Sequence, residues 1–225
     1  MSSGLLIVFE GSEGAGKTTQ VRMLVQRLRT EGIEVLPLRE PGGTPLGDAI
    51  RSILLDPGQN ISAPSEALLF MASRAEIVRE QIDPALARGV VVLMDRFFLS
   101  TYAYQIFGRG LPETEIRSAN SLAAGGRVPD LNIVLEIPAS EGMGRATARG
   151  AHDRIEQSGD EFHKRVESAF ASFTHRDWQL EHPECGPVAG VDGRGTPDDV
   201  HARVLDALAR NLPLRFAMLS EVKAS

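Results

Sequence analysis

One octapeptide, Gly11-Ser12-Glu13-Gly14-Ala15-Gly16-Lys17-Thr18, constrains this 225-residue chain more than any other segment. It fits the pattern G-x-x-x-x-G-K-[ST] in full. It follows the apolar run Leu5–Phe9 and opens an amphipathic stretch, Thr18–Thr30, with Val21, Leu24, Val25 and Leu28 on one face. Strand, glycine-rich turn and helix in that order make a phosphate cradle. The glycines let the backbone curl and aim several N–H groups inward, and the helix adds its positive N-terminal end. Lys17 is expected to reach the outer phosphates, Thr18 to ligate Mg²⁺, and Thr19 to complete the loop's contacts. The pattern by itself implies a nucleoside triphosphate and magnesium. GTPases, ATP-driven switches and small-molecule kinases share it, and the absence of an N-K-x-D guanine reader lowers the first of these.

The rest of the chain alternates short apolar runs with amphipathic ones. Ile33–Leu38, Val90–Met94, Leu131–Ile137 and Val188–Val191 read as strands. Val90–Met94 is apolar throughout, as a parallel strand buried on both faces must be. Leu46–Leu55, Ser65–Arg79, Ser100–Phe107, Glu113–Ala124, most of 141–182 and Asp198–Leu208 read as helices. This alternation predicts an α/β fold with a mainly parallel sheet. One domain is expected over 1–212, with a polar lid at about 145–160 and a tail over 213–225. The net charge of −6, from 24 basic and 30 acidic residues, argues against bulk nucleic-acid binding. No apolar run is long enough to span a bilayer, and no signal peptide is visible. A single cysteine, Cys185, excludes an intrachain disulfide and fits the cytoplasm. His152, His163, His175, His182 and His201 lack metal-ligand spacing and read as surface or helix residues.

The strand Val90–Met94 runs into Asp95-Arg96. Ligands in open α/β sheets bind beyond the carboxyl ends of strands. An aspartate there can hold a metal, and an arginine there can clamp a second phosphate. Asp95-Arg96-Phe97-Phe98-Leu99-Ser100-Thr101-Tyr102-Ala103-Tyr104-Gln105 resembles the D-R-Y-x-x-S-x-x-A-Y-Q segment of bacterial thymidylate kinases. Three further segments are similar to that family. Arg39-Glu40-Pro41-Gly42-Gly43-Thr44 resembles its R-E-P-G-G-T loop, and Leu68–Arg74 its L-L-F-x-A-x-R helix. Arg149-Gly150-Ala151-His152-Asp153-Arg154-Ile155-Glu156 resembles its lid. The matches come in family order from residue 5 to about residue 170.

The resemblance implies a P-loop three-layer sandwich with a five-stranded parallel sheet, helices on both faces and a mobile lid. It also implies a homodimer, ATP with Mg²⁺, and phosphorylation of dTMP to dTDP. Carried over by position, Phe70 stacks on the base and Arg74 hydrogen-bonds it. Arg51 and Arg96 hold the acceptor phosphate, and Thr101 and Gln105 add contacts near the base. Tyr104 crowds the place of a ribose 2′-hydroxyl, and Glu13 lies near the 3′-hydroxyl and the metal. Thr18 and Asp95 are the expected metal residues. Taken singly, Phe70 reads as core and Arg51 as a solvated helix charge; only the combination turns them into site residues. The phosphate loop's variable positions hold no basic residue, so catalytic charge is expected from the lid, from Arg149 with Arg154 assisting. Departures from the family pattern are Phe97 for Tyr, Ile77 for His, Glu136 for Asp and Phe170 for Tyr. A kinase for another nucleotide or a deoxynucleoside, and a non-enzymatic ATP-driven switch, remain as alternatives.

Overall fold

The apolar runs become β1 (Leu5–Glu10), β2 (Val35–Arg39), β3 (Val91–Asp95), β4 (Leu131–Glu136) and β5 (Val188–Asp192), paired in the order β2-β3-β1-β4-β5. The computed structural model describes residues 4–138, 141–142, 144–145 and 153–219. All four pairings are parallel. Side chains alternate across each strand, so Leu6 and Val8 of β1 enter one core while Leu5, Ile7 and Phe9 enter the other. The second core lies under α1 (Lys17–Thr30) and the helix Pro197–Asn211. The first lies under a larger helical layer. That layer includes α3 (Ala63–Ile77), which follows α2 (Pro45–Leu55), and α6 (Glu113–Ala124), which follows α4 (Asp83–Ala87) and α5 (Phe98–Thr101). The helix Asp160–Phe173 completes it. Helices thus lie on both faces of a five-stranded parallel sheet, as the resemblance implies.

The register aligns the strands' carboxyl ends. Phe9 and Arg39 both pair with Asp95, so Glu10, Arg39 and Asp95 finish at one level. β3 and β4 flank β1 from opposite sides, and the loop after β1 opens above that reversal point.

Several boundaries differ from the sequence expectation. The helix expected over Ser65–Arg79 ends at Ile77, and the chain widens into π-helical turns at Val78–Ile82. A second π-helical segment, Tyr102–Gly108, replaces the regular helix expected over Ser100–Phe107. Neither is visible in hydrophobic periodicity, because segments of 5 and 7 residues are too short to establish a period of their own. Pro213–Phe216 is helical, and Phe216 and Leu219 are buried in the core under α1. His182 is no surface residue either: it is buried, stacked on Trp178, and bonded to the Trp178 carbonyl and Glu113.

Candidate active site

α1 begins at Lys17 with Gly16 as its N-cap, in a left-handed conformation and with no side chain capping the helix. Its first N–H groups are therefore left for an anion, and no acidic residue in the first turn opposes one. Gly11 must be glycine on two counts. Its φ is +136°, and a Cβ there would stand 2.6 Å from the Leu135 carbonyl oxygen. The Lys17 ammonium is buried and donates to the carbonyls of Gly11 at 3.0 Å and Ser12 at 2.8 Å. Burial and the nearby Arg96 pull its pKa down to about 8, against the opposing pull of Glu13, Asp95 and Glu10. A lysine with a lowered pKa keeps its charge below that value and loses it above. kcat/KM for ATP is therefore expected to fall as pH rises through about 8. A phosphate whose last ionisation lies near pH ~6 is already fully charged there, so the limb belongs to the protein. A flat profile in steady-state assays from pH 7 to 10 would remove Lys17 from this role.

Thr18 Oγ1 donates to Asp95 Oδ2 at 2.5 Å, which joins the start of α1 to the end of β3. The next residue, Arg96, has φ +72°, the one left-handed non-glycine among the described residues. It donates to Glu13 Oε2 at 3.0 Å, to the Gly11 carbonyl at 3.2 Å and to Ser100 Oγ at 3.2 Å, and lies 5.0 Å from the centre of the Tyr104 ring. Burial works against its charge, but Tyr104, Glu13, Asp95 and Glu10 outweigh it and hold the guanidinium protonated. The strained turn is held by Glu10, a fully buried carboxylate that accepts from the N–H groups of Phe97 (2.8 Å) and Ser100 (3.1 Å) and from Ser100 Oγ (2.6 Å). Glu10 was not singled out in the sequence. An acidic residue closing the apolar run Leu5–Phe9 was the signal available.

A single cleft of about 870 Å³ runs from the phosphate loop to α3. It gathers Glu13, Gly14, Gly16, Lys17, Thr18 and Thr19 with Asp95 and Arg96. It equally gathers Arg51, Phe70, Arg74, Thr101, Tyr104 and Gln105. Phe70 is half-buried, its ring on the cleft wall and not in the core. Arg51 donates to the Pro41 carbonyl at 2.9 Å, and α2, which carries it, is capped by Thr44 through the Gly47 N–H. Gly11, Ser12 and Ala15 belong to the loop but not to the cleft lining.

Two expectations meet a different geometry. Arg74 is fully buried, and all of its N–H donors are spent inside the protein. Nε (2.9 Å) and Nη2 reach Glu40 Oε2, Nη2 also reaches the Phe97 carbonyl (2.8 Å), and Nη1 reaches Thr101 Oγ1 (2.7 Å) and Asn120 Oδ1. Its guanidinium also covers the rings of Phe97 and Phe98. Arg74 is thus a keystone between β2, α3, α6 and the Asp95-Arg96 turn before it is anything to a ligand. Arg154 does not reach the phosphate side. It donates to Glu66 Oε2 at 2.7 Å and to the Leu54 carbonyl at 2.8 Å, outside the cleft lining. Arg149 and Gly150 lie outside the described residues.

The family model for thymidylate kinase matches residues 9–181. The chain belongs to the thymidylate kinase family. The thymidylate kinase of a Synechococcus species is 45% identical over 213 residues, covering 95% of this chain and 98% of that one. That of Geobacter sulfurreducens is 43% identical over 219 residues, covering 94% and 100%. The crystal structure of thymidylate kinase from Ehrlichia chaffeensis superposes with a TM-score of 0.72 at 28% identity, over 92% of this chain and 99% of that one. Family membership bears on the cleft as a whole: the segments that carried the resemblance are the ones that line it.

Proposed function

We propose that this thymidylate kinase family member transfers the γ-phosphoryl group of ATP to dTMP, releasing ADP and dTDP. A phosphate oxygen of dTMP attacks the γ-phosphorus, and the bond to the β,γ-bridging oxygen breaks with its electron pair leaving on ADP. The observation that carries this reading is that one cleft holds two anion-binding ends. The phosphate loop with Lys17 forms the donor end; Arg51 and Phe70 form the acceptor end. Arg96 stands between them, touching the loop carbonyl of Gly11 and Glu13 on one side and Tyr104 on the other. A switch protein needs no second end, and a nucleoside brings no phosphate for Arg51 and Arg96. Positioning and charge neutralisation then supply catalysis, with no protein nucleophile.

The donor set fits Mg²⁺. Thr18 Oγ1 and Asp95 Oδ2 are hard oxygen ligands already brought together at the mouth of the loop, and these residues would hold the ion. When bound, it supplies positive charge to the transferring phosphoryl group. Arg96 donates to Glu13 on the same side of the loop, where its carboxylate would add a further hard oxygen for the ion.

A coupled ADP-release assay with dTMP, dUMP, dCMP, AMP and thymidine tests the reading. Rapid ADP release with dTMP and none with thymidine is expected; equal release without any acceptor would instead identify a switch. For the lid, the reading keeps Arg149 as the source of catalytic charge and withdraws Arg154 from it, because Arg154 is engaged by Glu66. Arg149→Ala should lower kcat by at least about 10²-fold with KM nearly unchanged, as expected for an arginine acting in the transition state. Arg154→Ala should keep kcat within a few-fold. Steady-state kinetics giving the reverse order would swap the two roles.

The enzyme acts as a homodimer in the cytoplasm. The dimer is supported by apolar side chains exposed on adjoining helices: Leu46 and Ile53 on α2, Leu68 on α3 and Leu122 on α6. Sedimentation at twice the 24.3 kDa chain mass is expected, with Leu68→Glu shifting it to the single-chain value. Sedimentation of the wild-type chain as a monomer would remove the dimer.

A further inference from the structure

α2, which carries Arg51, ends without help from its neighbours in the chain. Its last turn holds no basic residue to meet the negative end of the helix. Pro57 has no N–H to return, and the N–H of Gly58 turns to Asp56 Oδ1 at 2.9 Å. Leu54 is fully buried, so its carbonyl needs a partner from inside the protein. Arg154 supplies one from 100 residues away: its Nε donates to the Leu54 carbonyl at 2.8 Å, and its backbone N–H to the Leu55 carbonyl at 3.2 Å. The guanidinium also brings the positive charge that the end of α2 lacks.

The same side chain reaches α3. Arg154 Nη2 donates to Glu66 Oε2 at 2.7 Å, and Glu66 sits one helical turn before Phe70. Glu66 is 1% exposed and is held in turn by Arg109 Nε (3.0 Å) and Nη2 (2.9 Å) and by Gln105 Nε2 (3.0 Å). The tie therefore ends on a fixed point. Its other end is stiff as well: Asp153 Oδ1 accepts from the N–H groups of Ile155 and Glu156, both at 2.9 Å, and closes the turn that carries Arg154. Asp153 lines the cleft with Arg51, while Arg154 stays outside the lining. Burial and Arg39 pull the Arg51 pKa down, and Asp153 opposes them from this position.

We infer that Arg154 is a positioning residue for the acceptor phosphate: by closing the end of α2 and tying it to Glu66 on α3, it holds Arg51 in place relative to Phe70. Arg51 lies one turn before Leu54 and Leu55, and its Nη1 donates to the Pro41 carbonyl at 2.9 Å. The two ends of dTMP are gripped from different helices, the phosphate from α2 and the base from α3. A guanidinium holds a phosphate well only when its planar fork is correctly aimed. Loosening α2 against α3 therefore weakens the grip on the phosphate. It leaves the grip on the base as it was, because Phe70 stays on α3. This inference rests on the reading of the cleft as a dTMP site.

Arg154→Ala tests it when dTMP is compared with thymidine, which brings the base without the phosphate. Calorimetry should find dTMP affinity lower by about tenfold and thymidine affinity within about twofold of wild type. KM for ATP should stay within about twofold, since the phosphate loop is not part of the tie. In an Arg51→Ala background, Arg154→Ala should add no further loss, because it acts through Arg51. A merely structural role would lower both affinities together. The inference is overturned by an unchanged dTMP-to-thymidine ratio, by a parallel fall of both affinities, or by additive losses in the double variant. If Arg154→Ala fails to fold, Arg154→Gln decides. It keeps a donor but neither the charge nor the reach to both helices, and an unchanged ratio there overturns the inference. A wild-type enzyme that does not bind dTMP is a different outcome. It removes the dTMP reading, and this inference with it, before any variant is compared.

Discussion

Lys17→Ala is expected to lower kcat by at least about 10³-fold, the order associated with losing a charge that meets the transferring phosphoryl group. The basis is local and specific. The ammonium is buried within the phosphate loop, anchored on the carbonyls of Gly11 and Ser12, and lies on the donor side of the cleft. As the β,γ bond breaks, negative charge moves onto the bridging and equatorial oxygens, and among the described residues no other lysine lines the cleft to meet it. The acceptor end, with Arg51 and Phe70, does not depend on Lys17. Calorimetry should therefore find dTMP affinity nearly unchanged in the same variant. A Lys17→Ala enzyme retaining a tenth of wild-type kcat would show that the charge comes from elsewhere.

Arg74→Ala is expected to do most of its damage to stability. Glu40 is buried, with its side chain 3% exposed, and Arg74 supplies its charge partner. Burial raises the Glu40 pKa while Arg74 lowers it, so deleting the arginine leaves burial unopposed by its principal counterion. Removing one member of a buried ion pair costs about 3–5 kcal/mol. For a chain of this size that corresponds to a fall in Tm on the order of 10 °C. Thr101, Asn120 and the Phe97 carbonyl lose their donor at the same time. The double variant Arg74→Met with Glu40→Gln should recover part of the loss, because the stranded carboxylate is gone and the volume is kept. Thermal unfolding by circular dichroism measures both. A Tm within about 2 °C of wild type for Arg74→Ala would mean that the pair contributes under ~1 kcal/mol, and that Arg74 belongs to the ligand after all.

The phosphate loop was legible in the sequence because its chemistry is made by neighbours in the chain. Consecutive N–H groups, one lysine and one hydroxyl converge through a turn whose spacing the motif records directly. The sheet was legible for a related reason: a parallel strand covered on both faces must be apolar throughout, as in Val90–Met94. The placing of Phe70, Arg74, Thr101 and Gln105 on one cleft was legible through the family resemblance. What each does there was not. Arg74 finds Glu40 from 34 residues away and Asn120 from 46. Arg154 finds Glu66 from 88 residues away, and so turns from the phosphates it was expected to face.

The sequence by itself determined the α/β order, the anion-binding turn and the residues available to a nucleotide, because periodicity and local hydrogen-bonding geometry are properties of short segments. The pairing of charges, and which donors stay free, came only with tertiary contacts. A buried polar group takes the partner that folding brings within about 3 Å, and one carboxylate behind the wall, Glu66, engages two arginines and a glutamine from different parts of the chain.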